Sequence, residues 1–501
     1  MMPSVKNAPS VLIVGAGIGG IAAAAHLAQR GFDITMLEKN ARAGGRCDAF
    51  TRDGHRFDTG PTLYVMPHVY ESELGHLGLS AQKVLDLQRV DPTYHLFFEG
   101  GSRLALTSDM ERLGDQVERF EVGSFRRLRS YLAEGGRFYD LAMERLVQRD
   151  FRRFSDFFHL RNLPLLFQVK AMRRHYKYAG TFFEDPRLKA AFTFQDMYMG
   201  LNPSEAPATF SLIQYSELEH GVWYPRGGMH RIVEALVEHA AAAGVRVHLN
   251  TPVQRIDVSE GRAIGVTLED GERLKADIVL ANADLPYVYD ALLPQDGTAA
   301  KLARKRYSCS TISFFWGLDR TFPQLEPHML FLSEDYLGGF RALQEGGLSD
   351  KPNLYIHTPT RLDPSLAPPD CDSLIGIVPV GHLGVNPEGD LQALRDQARD
   401  AVFERLASVG IHDVSEHIKF EVCYTPCSWR KRYNLLKGAT HGLSHTLTQM
   451  AYMRPHNRHA RFQNLYFVGA STHPGTGIPN ALISARLAAE RIIDDLGMGS
   501  R

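Results

Sequence analysis

Val11-Leu12-Ile13-Val14-Gly15-Ala16-Gly17-Ile18-Gly19-Gly20 is the stretch on which the fold turns. Its first four residues are apolar and mostly β-branched, as in a short strand buried on both faces. The glycines follow at once, and the Ala-rich segment Ile21 to Arg30 predicts a helix with Gly31 as its C-terminal cap. Ile34-Thr35-Met36-Leu37 predicts a second strand, and Glu38 ends it. Each glycine of the Gly-x-Gly-x-x-Gly pattern has its own reason. Gly15 allows the tight turn, Gly17 lets the backbone approach a pyrophosphate, and Gly20 lets the helix pack close to the strand. The helix N-terminus, where Gly19 also lies, offers free N–H groups and a positive dipole end to phosphates. Glu38 stands 18 residues after Gly20 and can accept hydrogen bonds from a ribose 2′-OH. An acid there disfavours a 2′-phosphate, and with it NADP. The glycine pattern alone is weak evidence; strand, loop, helix, strand and acid in that order are strong evidence for a dinucleotide site.

Just beyond Glu38 and Lys39 comes Ala43-Gly44-Gly45-Arg46. Two glycines suit a second backbone approach to the pyrophosphate, with the Arg46 guanidinium to pair it. The combination resembles the FAD-containing amine oxidase and phytoene desaturase superfamily, which implies FAD and not NAD. Near the other end, Leu465 to Ala470 predicts a buried strand, Ser471 to Pro479 a glycine-rich loop, and Asn480 to Leu496 an Ala-rich helix. A flavin uses two such helix ends, one at the pyrophosphate and one near the pyrimidine edge of the ring, where it can hold negative charge. The cofactor domain is therefore expected to draw on both ends of the chain.

The closing stretch, Gly469-Ala470-Ser471-Thr472-His473-Pro474-Gly475-Thr476-Gly477-Ile478-Pro479, resembles that of the bacterial and fungal phytoene desaturases, a carotenoid desaturase family. So do Phe57-Asp58-Thr59-Gly60-Pro61-Thr62, Gly221 to Met229, Asn282-Ala283-Asp284 and Arg454-Pro455-His456-Asn457, while Phe192 to Gly200 looks more like the fungal branch. The resemblance runs from about residue 10 to residue 495. Many flavin oxidases of the wider superfamily carry an acid where this chain has Ala470, and its absence favours the narrower family. The resemblance implies an α/β fold: a Rossmann-like FAD-binding domain built from both chain ends, with an inserted α+β substrate domain. It divides the chain into FAD-binding segments at 8–85, 221–300 and 453–501, a largely helical substrate or membrane-facing segment at 86–220, and a substrate domain of sheet and helices at 301–452. It implies cofactor contacts from Gly60, Pro61, Thr62, Asn282, Gly469, Ala470, Gly477, Ile478 and Pro479, with the backbone at Val253 resembling an adenine contact.

Composition agrees with a folded chain of two or three domains: 501 residues, 44% hydrophobic and 23% charged. Lys plus Arg (56) nearly balances Asp plus Glu (57), a net charge of -1 that excludes a strongly basic nucleic-acid binder. Cys47, Cys309, Cys371, Cys423 and Cys427 are odd in number and scattered, which fits thiols in a reducing compartment and gives no metal-site spacing. No secretory signal is read in Met1 to Ser10, and no window is long and apolar enough to span a bilayer. The expected location is the cytoplasm, at the inner face of a membrane. From Leu113 to about His220 the chain predicts mostly helix. Between Arg149 and Lys177 eight Lys or Arg (Arg161 among them) interleave with Phe151, Phe154, Phe157, Phe158, Leu160, Leu163 and Phe167. Such a basic, aromatic stretch suits peripheral docking on an anionic membrane, or a solvated helix face over a domain core.

Desaturating a polyene needs a hydride acceptor, supplied by FAD, and loss of a proton; the protein adds a dry tunnel and orientation. His473, within the closing loop, and Asp156 are the candidate acid–base residues, with a structural role in the loop as the alternative for His473 and a structural role as the alternative for Asp156. Glu217, Glu219 and Asp196 are further candidates, each more readily read as structural, and Arg454 and His456 are read as holding the loop or the cofactor edge. The expected reaction is stepwise dehydrogenation of phytoene toward neurosporene, lycopene or 3,4-didehydrolycopene, on a lipid-soluble polyene and with dioxygen or a quinone as final electron acceptor. C30 dehydrosqualene or a later carotenoid (a 3,4-desaturase or ketolase) are rival substrates. A soluble amine oxidase and a non-enzymatic, escort-type flavin binder are rival classes. The oligomeric state is left open, a homo-oligomer included.

Overall fold

The computed structural model describes residues 8–158, 162–385 and 391–498. Leu160 and Arg161 of the basic stretch, and the N-terminal residues 1–7, lie outside the described residues. The strand Ser10–Val14 is the centre of a five-stranded sheet. Its order is Leu465–Phe467, Ile278–Ala281, Ser10–Val14, Asp33–Leu37, Arg246–His248, every neighbouring pair parallel. Strands from the beginning, the middle and the end of the chain thus share one sheet, the α/β arrangement expected.

The opening helix, Ile18–Ala28, begins three residues before the predicted start, because Gly19 and Gly20 already belong to its first turn. The closing helix, Ile478–Asp495, likewise starts early, with Pro479 in its first turn, where its missing N–H costs nothing. The two helices pack on each other through small side chains: Ala22 to Ala25 on one, Ala485, Ala488 and Ala489 on the other, all buried. The opposite face of the sheet is covered by an antiparallel sheet, Val253–Ser259, Arg262–Leu268 and Arg273–Lys275, whose second turn carries Asp270 and Gly271.

The second half is built on seven strands in the order Ile418–Tyr424, Ser310–Leu318, Ser373–Val380, Leu354–His357, His328–Leu332, Tyr94–Phe98, Arg103–Leu106. Neighbours are antiparallel except His328–Leu332 with Tyr94–Phe98. The last two strands come from the segment read as largely helical. The first of them pairs with residues more than two hundred positions away, the second closes a hairpin onto the first, and helices follow only from Met110 onward. Strand alternation then divides this sheet's labour. Ile312, Phe314, Trp316, Leu354, Ile356 and Val378 face the helix Leu391–Ala407 and form a dry core with it. Thr311, Ser313, Leu330, Tyr355, Ile377 and Pro379, of the opposite parity, line a cavity.

Candidate active site

That cavity has a volume of about 950 Å3 and is continuous with the carboxyl edge of the parallel sheet, where Val14, Leu37, Asn282 and Gly469 line it. This is the crevice in which an open α/β sheet binds ligands. Two helices present their N-termini there, the opening helix after Gly17 and the closing helix after Gly477, and no side chain caps either. Uncapped first-turn N–H groups at both ends make two anion-binding sites on one cavity.

Gly15 is at φ +98°, a region that L side chains avoid, so the tight turn requires glycine. A Cβ on Gly20 would lie 2.5 Å from the Gly15 carbonyl oxygen. Gly20 does not line the cavity, and its role is the close packing of helix on loop. Gly44 N–H donates to the Ala16 carbonyl at 2.7 Å, which ties the second glycine loop to the first. The Asn282 amide donates to the Gly15 carbonyl at 3.1 Å; a Cβ on Gly17 would come within 2.8 Å of its nitrogen, and one on Gly469 within 2.8 Å of its oxygen. Asn282 therefore wedges the opening and closing loops to a fixed separation. A Cβ on Gly60 would fall 1.9 Å from the Arg46 carbonyl, so the Gly60-Pro61-Thr62 segment presses directly on the Arg46 backbone.

Glu38 is 5% exposed and accepts from Ala16 N–H at 2.8 Å and from the Asn40 backbone and side-chain N–H groups at 2.9 Å. Lys39 Nζ donates to the Lys431 carbonyl and Asn434 Oδ1, and burial lowers its pKa. Arg46 Nη1 donates to the Thr440 carbonyl at 2.8 Å; burial lowers its pKa while nearby Asp284 opposes the shift. Every residue predicted to contact the cofactor lines this one cavity except Gly20. The residue set fits FAD: two helix N-termini and glycine cradles for the pyrophosphate, an acid placed for a ribose, and an apolar chamber adjoining.

Neither of the two predicted acid–base residues lines the cavity. Asp156 sits on the surface, where one carboxylate oxygen accepts from Arg152 and Arg153 N–H at 3.0 and 2.8 Å and caps the short helix Phe154–Phe157. His473 has its backbone N–H on the Pro455 carbonyl and its ring buried edge-on against Phe151; burial pushes its pKa down to about 4. Asp196 is fully buried against His175, itself held by the Tyr131 hydroxyl, and Glu219 is exposed. Arg454 proves to be a clamp. It is 1% exposed, and its guanidinium donates to the carbonyls of Thr472 (3.0 Å) and Ala470 (2.6 Å), so it fixes the closing loop from behind. Burial lowers its pKa to about 9. Asp284 completes the Asn282-Ala283-Asp284 motif. It lines the cavity, accepts from Ser471 Oγ and Leu436 N–H, and has its pKa raised by burial. His441 also lines the cavity, and burial lowers its pKa to about 4.

The far half of the cavity is apolar and aromatic: Phe194, Met197, Leu330, Phe340, Leu343 and Ile377, with Tyr94, Tyr198 and Tyr355 among them. The Tyr355 hydroxyl bridges Thr62 Oγ1 (2.8 Å) and His328 Nδ1 (2.7 Å). Behind Tyr198 lies Glu217, whose Oε1 accepts from the Tyr198 hydroxyl at 2.8 Å and whose Oε2 accepts from Gln195 Nε2 at 3.0 Å. Burial pushes the Glu217 pKa up to about 7 against those two hydrogen bonds. Among the described residues no helix is long and apolar enough to cross a membrane.

Residues 18–493 match the family of flavin-containing amine oxidoreductases. The chain is 41% identical to the phytoene desaturase of Neurospora crassa over 99% of its own length and 86% of that protein. It is also 41% identical to the zeta-carotene-forming phytoene desaturase of Myxococcus xanthus, over 96% of this chain and 93% of that one. Putrescine oxidase shares the fold, with a TM-score of 0.66 at 16% identity over 97% of this chain and 99% of that one. The chain belongs to the flavin-containing amine oxidoreductase family, on its phytoene desaturase branch.

Proposed function

We propose that this chain is an FAD-dependent carotenoid desaturase that dehydrogenates phytoene stepwise toward neurosporene, lycopene or 3,4-didehydrolycopene. The observation that carries the reading is the continuity of a dinucleotide cradle, bounded by two uncapped helix ends, with an apolar aromatic chamber. When bound, FAD supplies hydride acceptance. The chain's own residues do the rest. Gly17, Gly19, Gly44, Gly45 and Arg46 hold the pyrophosphate, Glu38 and Lys39 the ribose end, and Val253 the adenine. Gly60, Pro61, Thr62, Asn282, Gly469, Ala470, Gly477, Ile478 and Pro479 hold the ring end, and the chamber keeps water from it. The division into three FAD-binding segments, at 8–85, 221–300 and 453–501, around two inserted segments belongs to the same proposal. Dioxygen or a quinone accepts the electrons afterwards.

The substrate is a hydrocarbon that resides in lipid, and a surface patch suits docking there. Phe154 (60% exposed) stacks on Phe158 with ring centroids 4.2 Å apart, Tyr452 meets both rings, and Phe167 (75%) and Met172 (69%) are also exposed. Arg173, Arg174 and Lys177 follow in the chain and suit an anionic leaflet, such as the inner face of the cell membrane. The test is expression in a host that accumulates phytoene, followed by the absorption spectrum of the lipid extract. Visible bands with polyene fine structure are expected, and their position counts the conjugated double bonds. A colourless extract beside FAD-loaded protein overturns phytoene as substrate and moves the assay to dehydrosqualene.

A further inference from the structure

A cavity for a hydrocarbon has no use for an acid, yet one is buried directly behind a residue of its apolar lining. Glu217 is 2% exposed, and each of its carboxylate oxygens accepts one hydrogen bond, from Tyr198 and Gln195. Tyr198 lines the cavity, and its hydroxyl is also hydrogen-bonded to that of Tyr94, another lining residue. These groups come from three separate elements: the strand Tyr94–Phe98, the turn Phe194–Met199 and the turn Ser216–His220. Burying a carboxylate costs several kcal/mol unless it is well paired, and carboxylates arranged in this way cluster at functional sites.

We propose that the Tyr198 hydroxyl is the catalytic group that accepts the substrate proton, with Glu217 as the positioning residue that takes the hydroxyl's own proton in the same step. The inference rests on the desaturase reading above. Dehydrogenation breaks C–H bonds on two adjacent carbons. One hydrogen leaves with its electron pair as hydride, to the flavin. The electron pair of the other C–H bond becomes the second bond of the new C=C, and its proton goes to the Tyr198 oxygen as the Tyr198 proton moves to Glu217 Oε1. Tyrosine ends as it began, and the carboxylate ends as a carboxylic acid. The acid returns its proton by the same hydroxyl to water that enters once the product leaves. The arrangement avoids placing a charged base against the polyene, where it would be poorly solvated.

Groups that face Glu217 are Tyr198 and Gln195 from one turn and Tyr94 from the strand, with Tyr355 and His328 next beyond Tyr94. On its own turn Glu219 is exposed, and His220 packs against His68 and Tyr139. The ionised acceptor is therefore present above about pH 7, and kcat should rise with pH through that value.

The test uses holoenzyme on phytoene-loaded liposomes, with Tyr198→Phe and Glu217→Gln compared at equal flavin content and matched Tm. Expected is a fall in kcat of about a hundredfold in both variants with KM within about twofold. The rise of kcat with pH should vanish in Glu217→Gln and return in part in Glu217→Asp. A second measurement needs no substrate: the infrared carbonyl band of protonated carboxyl groups, followed against pH in the wild type and in both variants. A band titrating near the pH given above, shifted in Tyr198→Phe and missing in Glu217→Gln, supports the pair. Tyr198→Phe with kcat within about twofold of wild type at equal flavin content overturns the proposal, and so does the absence of any carboxyl band titrating around neutrality. Wild-type holoenzyme that makes no polyene overturns the desaturase reading instead, and the infrared titration then decides the Tyr198–Glu217 pair alone.

Discussion

At the scale of single residues, position rather than identity separates the glycines. Gly17 has φ −76° and ψ 167°, a conformation open to any residue, so Gly17→Val introduces no backbone strain. Its side chain would instead press on Asn282, 2.8 Å from the Cβ position, and cover the helix N–H groups. The expected outcome is a folded protein by circular dichroism that retains no flavin absorbance on gel filtration; a stoichiometric yellow flavin would refute the nucleotide site. Gly15→Ala differs, because φ +98° is strained for alanine, and it should cost about 1–3 kcal/mol of stability. Glu217 offers a sign-definite test of linkage. Its folded pKa, about 7, lies above the ordinary 4.5, so the native state holds a proton that the unfolded state releases between those values. Stability should therefore fall as pH rises across that window, by up to about 3 kcal/mol in total, and no further above it. Glu217→Gln removes this loss, so its Tm relative to wild type should improve from pH 5 to pH 8; a difference that is constant with pH would show that the carboxyl is not raised. The contrast with His473 explains what motifs leave out. A motif places a backbone in a loop, and it does not say that the His473 ring turns to Phe151 while the Ala470 carbonyl turns to Arg454.

At the scale of elements, the glycine loops and the strands beside them were legible because every determinant lies within a few residues. The hairpin Tyr94–Phe98 and Arg103–Leu106 was not, because the strand His328–Leu332 that holds it in the sheet lies far along the chain. For the same reason Glu217 could not be ranked above Asp156: its value comes from Tyr198 and Tyr94, which only folding brings to it. The alternation of the strand Ser310–Leu318 makes a paired prediction. Ser313 faces the cavity and Phe314, one residue on, faces the helix Leu391–Ala407. Phe314→Ala should cost about 3–5 kcal/mol and leave the product spectrum unchanged. Ser313→Phe should cost at most about 1–3 kcal/mol and alter which polyenes are made, as chromatography of the extract would show. The patch around Phe154 and Phe158 is likewise a property of an element. Phe154→Glu with Phe158→Glu should abolish co-sedimentation with anionic liposomes at unchanged flavin content, since each phenyl ring withheld from lipid forfeits about 1.5–3 kcal/mol. Unchanged sedimentation would move the docking surface elsewhere.

At the scale of the whole molecule, the order of strands in the parallel sheet governs more than the geometry of the cradle. The central strand precedes the other four strands in the chain, and the edge strand Leu465–Phe467, which pairs with Ile278–Ala281, and the closing helix come after the rest. On the ribosome, the opening helix lacks the closing helix that packs on it until residue 478 onward has emerged, a wait on the order of 20–90 s at ordinary elongation rates. For that interval a nascent chain exposes the face on which the finished core closes, which makes it a natural client for chaperones. A polypeptide interrupted anywhere before Leu465 lacks one wall of the cradle, however well its first domain collapses. Bound flavin therefore certifies that synthesis passed the closing strand and helix, and the yellow colour of a preparation reports chains that contain both rather than merely soluble ones.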